Sequence, residues 1–334
     1  MPSTPARLLQ ALDFVTGQVP AMPEALGDVR ASHFAKVKVI AADKNVVGVG
    51  ISEKQVEGKA SGDLTVCFYV KKKLPPSRVL GSNMVPSAIS LPSDKAVFTD
   101  VKEIGQIQPE ALPAKKSAPI QSGFSVGHFK STAGTVAAIV RKTGVLYILS
   151  NSHVLAQSGK GKVGDKILYP GPADGGTAST NLAATLSEFI PFDLSGSLNN
   201  KMDAALAEIV HERISSVDLA LALAGEPLTT IAPERDMKIV KVGRTTGRTS
   251  GKVVDVNFRF TLKYPNVGSV GYLDQVLCTR YTDAGDSGSL VIAEDTKKIV
   301  GLHFAGANGG SVFSPIIPIV KSLGFKFVST LGAH

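Results

Sequence analysis

Cysteine is scarce in this chain: its 334 residues include only Cys67 and Cys278. Two cysteines so far apart exclude the disulfide framework of small secreted proteins, and they fit a reducing compartment. No cluster of cysteine and histidine has zinc-binding spacing, so no metal site is expected. Gly48 and Gly50 do not complete a dinucleotide fingerprint, so no cofactor is expected either.

Long apolar runs are also missing. No stretch of about 18 apolar residues occurs, so no membrane-spanning helix and no membrane partner are predicted. The first 19 residues are interrupted by Arg7, Gln10 and Asp13, which does not fit the apolar segment of a secretory signal. A cytoplasmic location is therefore expected.

The excess of positive charge is modest. The chain has 36 Lys and Arg against 28 Asp and Glu, a net charge of +8 that is spread along the sequence. The densest basic run is Lys71 to Lys73, and such a run is typical of a solvated strand end. No nucleic-acid-binding motif accompanies it, so nucleic acid is not the expected partner. Hydrophobic residues make up 43%, which indicates a globular protein, and the length predicts about two domains.

The first part of the chain has the pattern of a small α+β domain. Residues 4–16 are predicted to form a helix, and runs rich in Val and Ile predict strands at 37–40, 46–51, 64–70 and 97–104. Residues 107–122 contain three prolines and little periodicity, which is typical of a linker. We therefore predict an N-terminal domain over 1–106, a linker over 107–122 and a second domain over 123–334.

The pattern of the second domain is that of an antiparallel barrel or sandwich. From residue 123 onward, short apolar runs recur every ~8–15 residues between clusters of Gly, Asn, Asp and Ser. Residues 317–328 are predicted to end the domain as a short helix. The segment 211–233 has helical periodicity, and an insertion, an interface or a regulatory element would each fit it.

The motif with the clearest chemistry is Gly285-Asp286-Ser287-Gly288-Ser289. Glycines on both sides of a serine permit a tight turn, which can aim the N–H groups of Gly285 and Ser287 at one point. A serine hydroxyl is a weak nucleophile until a base and an oxyanion site activate it. The alternative is an ordinary Gly/Ser turn between strands.

A base and an acidic partner can be assigned among the polar residues at strand ends. His153 comes just after the apolar strand run 145–150, where a rigid strand can hold an imidazole. Asp203 precedes an apolar strand, and a carboxylate in that place is costly without a partner. Asp193 and Asp218 are rival candidates for the same role, and a purely structural histidine is the alternative for His153.

The order of these three residues is similar to that of chymotrypsin/trypsin-like serine peptidases. His153, Asp203 and Ser287 are separated by 50 and 84 positions, and residues 150–154 and 285–288 resemble the segments around that family's histidine and nucleophile. The resemblance covers residues 121–320. It implies a mainly β fold, a chymotrypsin-like double antiparallel β-barrel, and a serine endopeptidase that acts on proteins or peptides through an acyl-enzyme without a cofactor.

A second matching segment is Gly243-Arg244-Thr245-Thr246-Gly247, which is similar to a segment of bacterial secreted members such as alpha-lytic protease. In those relatives the arginine pairs with the aspartate before the nucleophile. The resemblance therefore implies an ion pair between Arg244 and Asp286, and an enzyme that is active without release of a new amino terminus. A surface arginine in a hairpin is the alternative.

The resemblance also implies where the residue before the scissile bond would bind. Tyr281, Thr282 and His303 stand at the positions that form this pocket. Thr282 and His303 resemble the pocket residues of glutamyl endopeptidases, and a histidine with a hydroxyl can bind a carboxylate. Cleavage after Glu or Asp is therefore predicted, with a core histidine as the alternative for His303.

The N-terminal region resembles, in residues 46–50 and 66–75, a group of bacterial peptidase-like proteins related to plant Narrow Leaf proteins. Four functions fit this region: it could gate the cleft, assist folding, act like a pro-domain, or assemble a homo-oligomer. For the whole chain, the alternative to an enzyme is a catalytically silent peptidase fold that serves as a binding module or scaffold.

Overall fold

A computed structural model describes residues 4–18, 36–56, 59–91, 96–107, 119–221, 223–265 and 267–330. Most of the expected linker, from 108 to 118, lies outside these residues. The helices are α1 (Ala6–Val15), α2 (36–41), α3 (Ser152–Leu155) and α4 (Ile316–Leu323). No helix in the described ranges is both long enough and apolar enough to cross a membrane.

In the described residues of the N-terminal region, two helices pack on a small sheet. Its strands are β1 (Val46–Val56), β2 (Lys59–Val70), β3 (Ala88–Ser90) and β4 (Ala96–Glu103). The predicted helix is confirmed as α1, whose buried Leu8, Ala11, Leu12 and Val15 follow helical spacing. The predicted strand at 37–40 is wrong, because this segment belongs to α2. Burial of Val37 and Ile40 on one helical face outweighs the strand preference of β-branched residues.

The first barrel is an eight-stranded sheet in the order β19-β7-β8-β12-β10-β9-β5-β6. The sheet curls because the Val136 N–H donates to Phe124 O, beside β5, while the next N–H, of Ala137, donates to Leu149 O in β8. The strands are β5 (Ser125–His128), β6 (Gly134–Thr135), β7 (Ala138–Lys142), β8 (Val145–Ser150), β9 (Lys166–Leu168), β10 (Leu182–Phe189), β12 (Ala205–Ile209) and β19 (Lys326–Phe327).

The second barrel is closed by six strands. β14 pairs with both β13 and β15, and the ring continues through β18, β17 and β16 back to β13. These strands are β13 (Lys238–Gly243), β14 (Gly247–Tyr264), β15 (Gly268–Cys278), β16 (Leu290–Ala293), β17 (Ile299–Ala307) and β18 (Gly310–Pro315), with β11 (Leu198–Asn200) added beside β15. The fold is therefore the expected mainly β, double-barrel type.

Two expectations for the second domain have different outcomes. The predicted C-terminal helix is confirmed as α4, although it is shorter than residues 317–328. The helical periodicity of 211–233 is not realised: within its described residues, only the single 3-10 helix His211–Ser216 forms. This segment instead supplies partly buried side chains, such as Leu221, Leu223 and Leu228, to the core between the barrels.

The N-terminal sheet continues the sheet of the second barrel. β1 pairs antiparallel with β14, opposing Gly48 to Phe260 and Val49 to Arg259, so eleven strands form one continuous sheet. Arg259 also forms an ion pair with Asp13 of α1. A junction core of Tyr69, Ile104, Ile107, Phe258 and Phe260, among others, is buried on both sides of this seam. The N-terminal region is thus tied to the hairpin that β14 and β15 form.

Asp255 is a buried carboxyl group in this junction. It accepts hydrogen bonds from the Asn257 N–H (2.8 Å) and the Tyr69 hydroxyl (3.2 Å). Gly50 lies so close that a β carbon there would be 1.9 Å from Asp255 Oδ2. Burial raises the pKa of Asp255 from 3.8 to about 6, although these hydrogen bonds and the charge of Arg235 oppose the increase.

We expect Asp255→Asn to raise the melting temperature at pH ~8 and to change it little at pH ~4. Because the pKa is higher in the folded chain than in the unfolded chain, the stability that Asp255 contributes is present below pH ~4 and lost as the pH rises through about 6. Asparagine has no charge to bury, and it keeps an oxygen for the Asn257 N–H. Thermal unfolding of both proteins across this pH range measures the effect, and a difference independent of pH would contradict it.

Candidate active site

His153 lies in α3, the short helix that follows β8. Asp203 lies just before β12, which pairs with β8, so the strand register places these two residues side by side. The Asn151 side chain strengthens the link by donating from Nδ2 to the backbone oxygen of Asp203 at 2.7 Å. The sheet of the first barrel therefore positions both groups.

Two hydrogen bonds join His153 to Asp203. His153 Nδ1 lies 2.6 Å from Asp203 Oδ2, and the His153 backbone N–H donates to Oδ1 at 3.2 Å. Asp203 is fully buried, so its carboxylate favours the tautomer with the proton on Nδ1. His153 Nε2 is then a proton acceptor; it is buried and has no hydrogen-bond partner among the described residues.

Tyr264 is a third partner of Asp203 that the sequence reasoning missed. Its hydroxyl donates to Asp203 Oδ2 at 2.8 Å and lies 2.8 Å from the Tyr272 hydroxyl. Burial, followed by the charge of Asp203, raises the pKa of Tyr264 well above its ordinary value, so the hydroxyl keeps its proton. The ring of Phe192 stacks on Tyr264 at a centroid distance of 5.2 Å. The hairpin of β14 and β15 therefore reaches into the site.

The two rival carboxylates serve other purposes. Asp193 accepts hydrogen bonds from Asn199 Nδ2 and the Ser195 N–H, and the Asn199 bond is the main cause of its lowered pKa. Asp218 accepts from the Ala220 N–H at 2.9 Å. Both interactions organise local turns, and Asp203 is the carboxylate that the fold brings to His153.

Ser287 lies in a tight turn between two glycines in the left-handed region, Gly285 (φ 100°) and Gly288 (φ 93°). The serine is fully buried, and its hydroxyl donates to the backbone oxygen of Phe304 at 3.3 Å. It makes no hydrogen bond to His153 Nε2 in this structure. A rotation about χ1 is the movement that would turn Ser287 Oγ away from Phe304.

The backbone around Ser287 offers two N–H groups. Neither the Gly285 N–H nor the Ser287 N–H donates to another described residue. The Thr245 hydroxyl donates a hydrogen bond to Ala284 O at 2.7 Å, and the Ser289 N–H donates to Asp286 O at 2.9 Å. Because the C=O and N–H of one peptide group point in opposite directions, these two contacts fix the orientation of both free N–H groups. The peptides are thus held before any ligand arrives.

The expected ion pair between Arg244 and Asp286 is wrong. Arg244 forms a bidentate pair with Asp174, from Nε at 2.9 Å and Nη2 at 3.0 Å. Asp286 is paired instead with Lys241 Nζ at 2.9 Å. The reason is geometric: Lys241 extends from within β13 toward Asp286, whereas Arg244 follows the strand and extends to the first barrel. Arg244 therefore links the two barrels.

The Thr-Thr segment after Arg244 nevertheless contacts Asp286. The N–H groups of Thr245 and Thr246 donate to Asp286 Oδ1 at 3.1 and 3.2 Å, and the Asp283 N–H donates to Oδ2 at 3.0 Å. Burial by itself would raise the pKa of Asp286, but the charge of Lys241 and the hydrogen bonds from the Thr246 hydroxyl and the Asp283 N–H outweigh it, and the pKa is lowered. Asp286 is therefore an ionised anchor for the turn that carries Ser287.

The expected pocket residues lie together inside the second barrel. The ring centroids of Tyr281 and His303 are 5.5 Å apart, and Thr282 Oγ1 lies 2.6 Å from Ser311 Oγ. His303 is fully buried and follows Leu302 on β17, next to Phe304. Tyr281 therefore contacts His303 through its ring and Ser311 through its backbone N–H, while the Gly288 N–H next to Ser287 donates to His303 O at 2.9 Å.

Comparison with known proteins gives no family model and no curated protein that matches this chain. Among solved structures it is similar to Protease A of Thermobifida fusca, at 17% identity and a TM-score of 0.45 over 63% of this chain and 99% of that one. A glutamic acid-specific serine protease, described as using a novel histidine triad in substrate binding, matches at 19% identity and a TM-score of 0.44 over 63% and 100%. Cellulomonas bogoriensis chymotrypsin matches at 18% identity and 0.42 over 63% and 99%. These similarities concern the fold.

Proposed function

We propose that this chain is a serine endopeptidase in which Ser287 is the nucleophile, His153 the base and Asp203 the group that orients His153. The observation that carries the proposal is the His153–Asp203 contact of 2.6 Å, which leaves a buried Nε2 without a partner in the part of the chain that the structure describes. An unprotonated nitrogen in that setting is suited to accept a proton. The two fixed N–H groups of Gly285 and Ser287 are suited to stabilise an oxyanion.

The reaction begins when Ser287 Oγ turns from Phe304 O toward His153. His153 Nε2 takes the hydroxyl proton as Oγ bonds to the substrate carbonyl carbon, and the carbonyl oxygen becomes an oxyanion held by Gly285 and Ser287. His153 then gives the proton to the leaving nitrogen as the C–N bond breaks, which leaves an ester on Ser287. Water cleaves the ester by the same proton transfers and restores the serine.

A catalytically silent scaffold is the second candidate, and the orientation of Ser287 favours it. A serine whose hydroxyl stays on Phe304 O would not be activated. A fluorophosphonate probe separates the two functions, because only an activated serine reacts with it. We expect stoichiometric labelling of the chain, loss of labelling in Ser287→Ala, and unchanged labelling in Ser179→Ala, an exposed control. An unlabelled, folded chain would refute the enzymatic proposal.

We also propose a preference for Glu or Asp before the scissile bond. Support comes from the contact between the rings of Tyr281 and His303 and from the hydroxyl of Thr282, the residue next to Tyr281, since imidazole and hydroxyl groups can bind a carboxylate. A panel of peptides that differ only in that residue measures kcat/KM for each. Faster cleavage after Arg, Leu or Phe than after Glu would contradict the preference, while leaving the peptidase proposal intact.

We expect Tyr264→Phe to lower kcat by up to about tenfold, because the variant removes one hydrogen-bond donor from the carboxylate that orients His153. Tyr272→Phe keeps the Tyr264–Asp203 hydrogen bond, so its kcat should stay closer to that of wild type. Steady-state hydrolysis of a peptide substrate measures kcat for each protein. Equal kcat values for wild type and Tyr264→Phe would assign this tyrosine to packing alone.

Three expectations from the sequence stay predictions. They are the division into residues 1–106, 107–122 and 123–334, the cytoplasmic location, and the relation to Narrow Leaf-type proteins. For the N-terminal region, the pairing of β1 with β14 supports an influence on the hairpin that carries Tyr264. A homo-oligomer built by this region is the alternative.

A further inference from the structure

The N-terminal region contains a cavity of about 390 Å³. Its floor is formed by Val46, Val70 and Val101 at one end of the small sheet, and one wall by Ile40 of α2. The loop from residue 71 to 85 forms the remaining side. The volume of the cavity falls within the range of ~300–1,000 Å³ that is typical of small-molecule sites.

The loop side of the cavity exposes large apolar groups. Leu80 is 73% exposed and Met84 is 41% exposed, although both line the cavity. Exposed apolar side chains around a preformed apolar cavity are typical of a ligand site rather than of a closed core. An apolar ligand would cover these groups as well as the floor.

Cations surround this apolar surface. Lys72, Lys73 and Arg78 all line the cavity, against Asp43 as the one carboxylate among the described residues that line it. None of the three forms an ion pair with another residue in the described ranges. Asp43 is already engaged, because it accepts from the Asn45 N–H at 2.7 Å and from Asn83 Nδ2 at 2.6 Å. The excess of positive charge from Lys72, Lys73 and Arg78 therefore favours the binding of an anion.

The amide groups at the cavity are also engaged. Asn45 donates to Lys72 O and accepts from the Lys72 N–H, and Asn83 accepts from the Ser82 hydroxyl while it donates to Asp43. A bound peptide would bury backbone groups that these side chains cannot satisfy, and unsatisfied buried polar groups are costly. An alkyl chain has no such groups.

We propose that this cavity binds a long-chain carboxylate, with its alkyl chain in the cavity and its anionic end beside Lys72, Lys73 and Arg78. The site is separate from Ser287, and it stands whether or not the chain is a peptidase.

A fluorescence titration of the full chain tests this site directly. The sequence contains no tryptophan, so Leu80→Trp introduces a single reporter at the cavity. Dodecanoate, below its micelle concentration, is expected to shift the emission to shorter wavelength and to saturate at one molecule per chain. Val163→Trp, an exposed reporter in the first barrel, is the matched control and should not respond. Equal responses from both reporters, or none from Leu80→Trp, would overturn the proposal.

Variation of the ligand tests the chemical class. Hexanoate should bind at least about 100-fold more weakly than dodecanoate, because each methylene group removed lowers the apolar stabilisation. Dodecyltrimethylammonium should bind at least about tenfold more weakly, because its charge is opposite. Equal binding of both charges, or binding of an apolar peptide in place of dodecanoate, would refute the long-chain carboxylate.

Charge reversal then locates the anionic end. In the Leu80→Trp background, Lys72→Glu and Arg78→Glu should each weaken dodecanoate binding about threefold to tenfold. Lys71→Glu makes the same change in net charge at an exposed neighbour that does not line the cavity, and should alter binding less than about twofold. Equal weakening by Lys71→Glu and Lys72→Glu would show a nonspecific charge effect and contradict the site.

Discussion

Asp203→Asn is expected to lower kcat by roughly 10⁴-fold, as the loss of the equivalent charge does in a serine triad. In this chain the effect has a specific origin. Asparagine would present an N–H group to His153 Nδ1 in place of an oxygen at 2.6 Å. Nδ1 would then act as acceptor and the ring proton would move to Nε2, where it blocks proton transfer from Ser287. Steady-state hydrolysis of a peptide substrate measures the loss.

Asp193→Asn is the matched control for this experiment. It makes the same chemical change at a carboxylate that organises an exposed turn, and kcat should stay within about twofold of wild type. Thermal unfolding of both variants shows whether they are folded. A folded Asp203→Asn protein with nearly full activity would remove Asp203 from the proposed mechanism, and a large effect of Asp193→Asn would assign the role to the rival carboxylate.

Lys241→Met is expected to destabilise the fold by about 3–5 kcal/mol at neutral pH. Lys241 and Asp286 are both fully buried, and their charged groups lie 2.9 Å apart. Removal of the ammonium group would leave a carboxylate buried without its counter-charge. Because a protonated Asp286 tolerates this loss, the difference from wild type should shrink as the pH falls below ~4. Denaturant unfolding at two pH values measures both effects.

The exposed pair of Lys252 and Asp236 provides the comparison. Their side chains are 52% and 54% exposed and their charged groups lie 2.7 Å apart, so Lys252→Met should cost less than about 1 kcal/mol. Equal losses in the two variants would show that burial does not determine the strength of the Lys241–Asp286 pair. A pH-independent loss in Lys241→Met would point to packing rather than charge.

The sequence pattern predicted an antiparallel barrel or sandwich because its determinants are local, and the resemblance to chymotrypsin/trypsin-like peptidases reduced this choice to a double barrel. Short apolar runs between turn residues specify strands, and strands of this spacing close into barrels. The proximity of His153 to Asp203 was predicted from motif order, and it is realised through the pairing of β8 with β12. Short runs such as residues 37–40 carry too little periodicity to separate strand from helix, so tertiary packing determined the outcome.

The partners of distant side chains could not be read from the sequence. Arg244 and Lys241 stand three positions apart, and the choice between Asp174 and Asp286 depends on which barrel each side chain faces. A lysine in an apolar strand is rarely fully buried, so nothing in the sequence indicated that Lys241 is buried beside Asp286. Tyr264 is 61 positions from Asp203 and has no motif around it, since the curvature of a hairpin determines its contact.

The seam between β1 and β14 has a consequence for cleavage of the chain. A cut between Ile107 and Pro119 would break the polypeptide, but the strand pairing, the Arg259–Asp13 ion pair and the junction core would still join the pieces. The nicked protein would therefore travel as one particle in gel filtration and appear as two bands only after denaturation. Forced separation would expose the unpaired edge of β14, which invites self-association. The N-terminal fragment would thus remain as a noncovalent subunit after its covalent tether is lost.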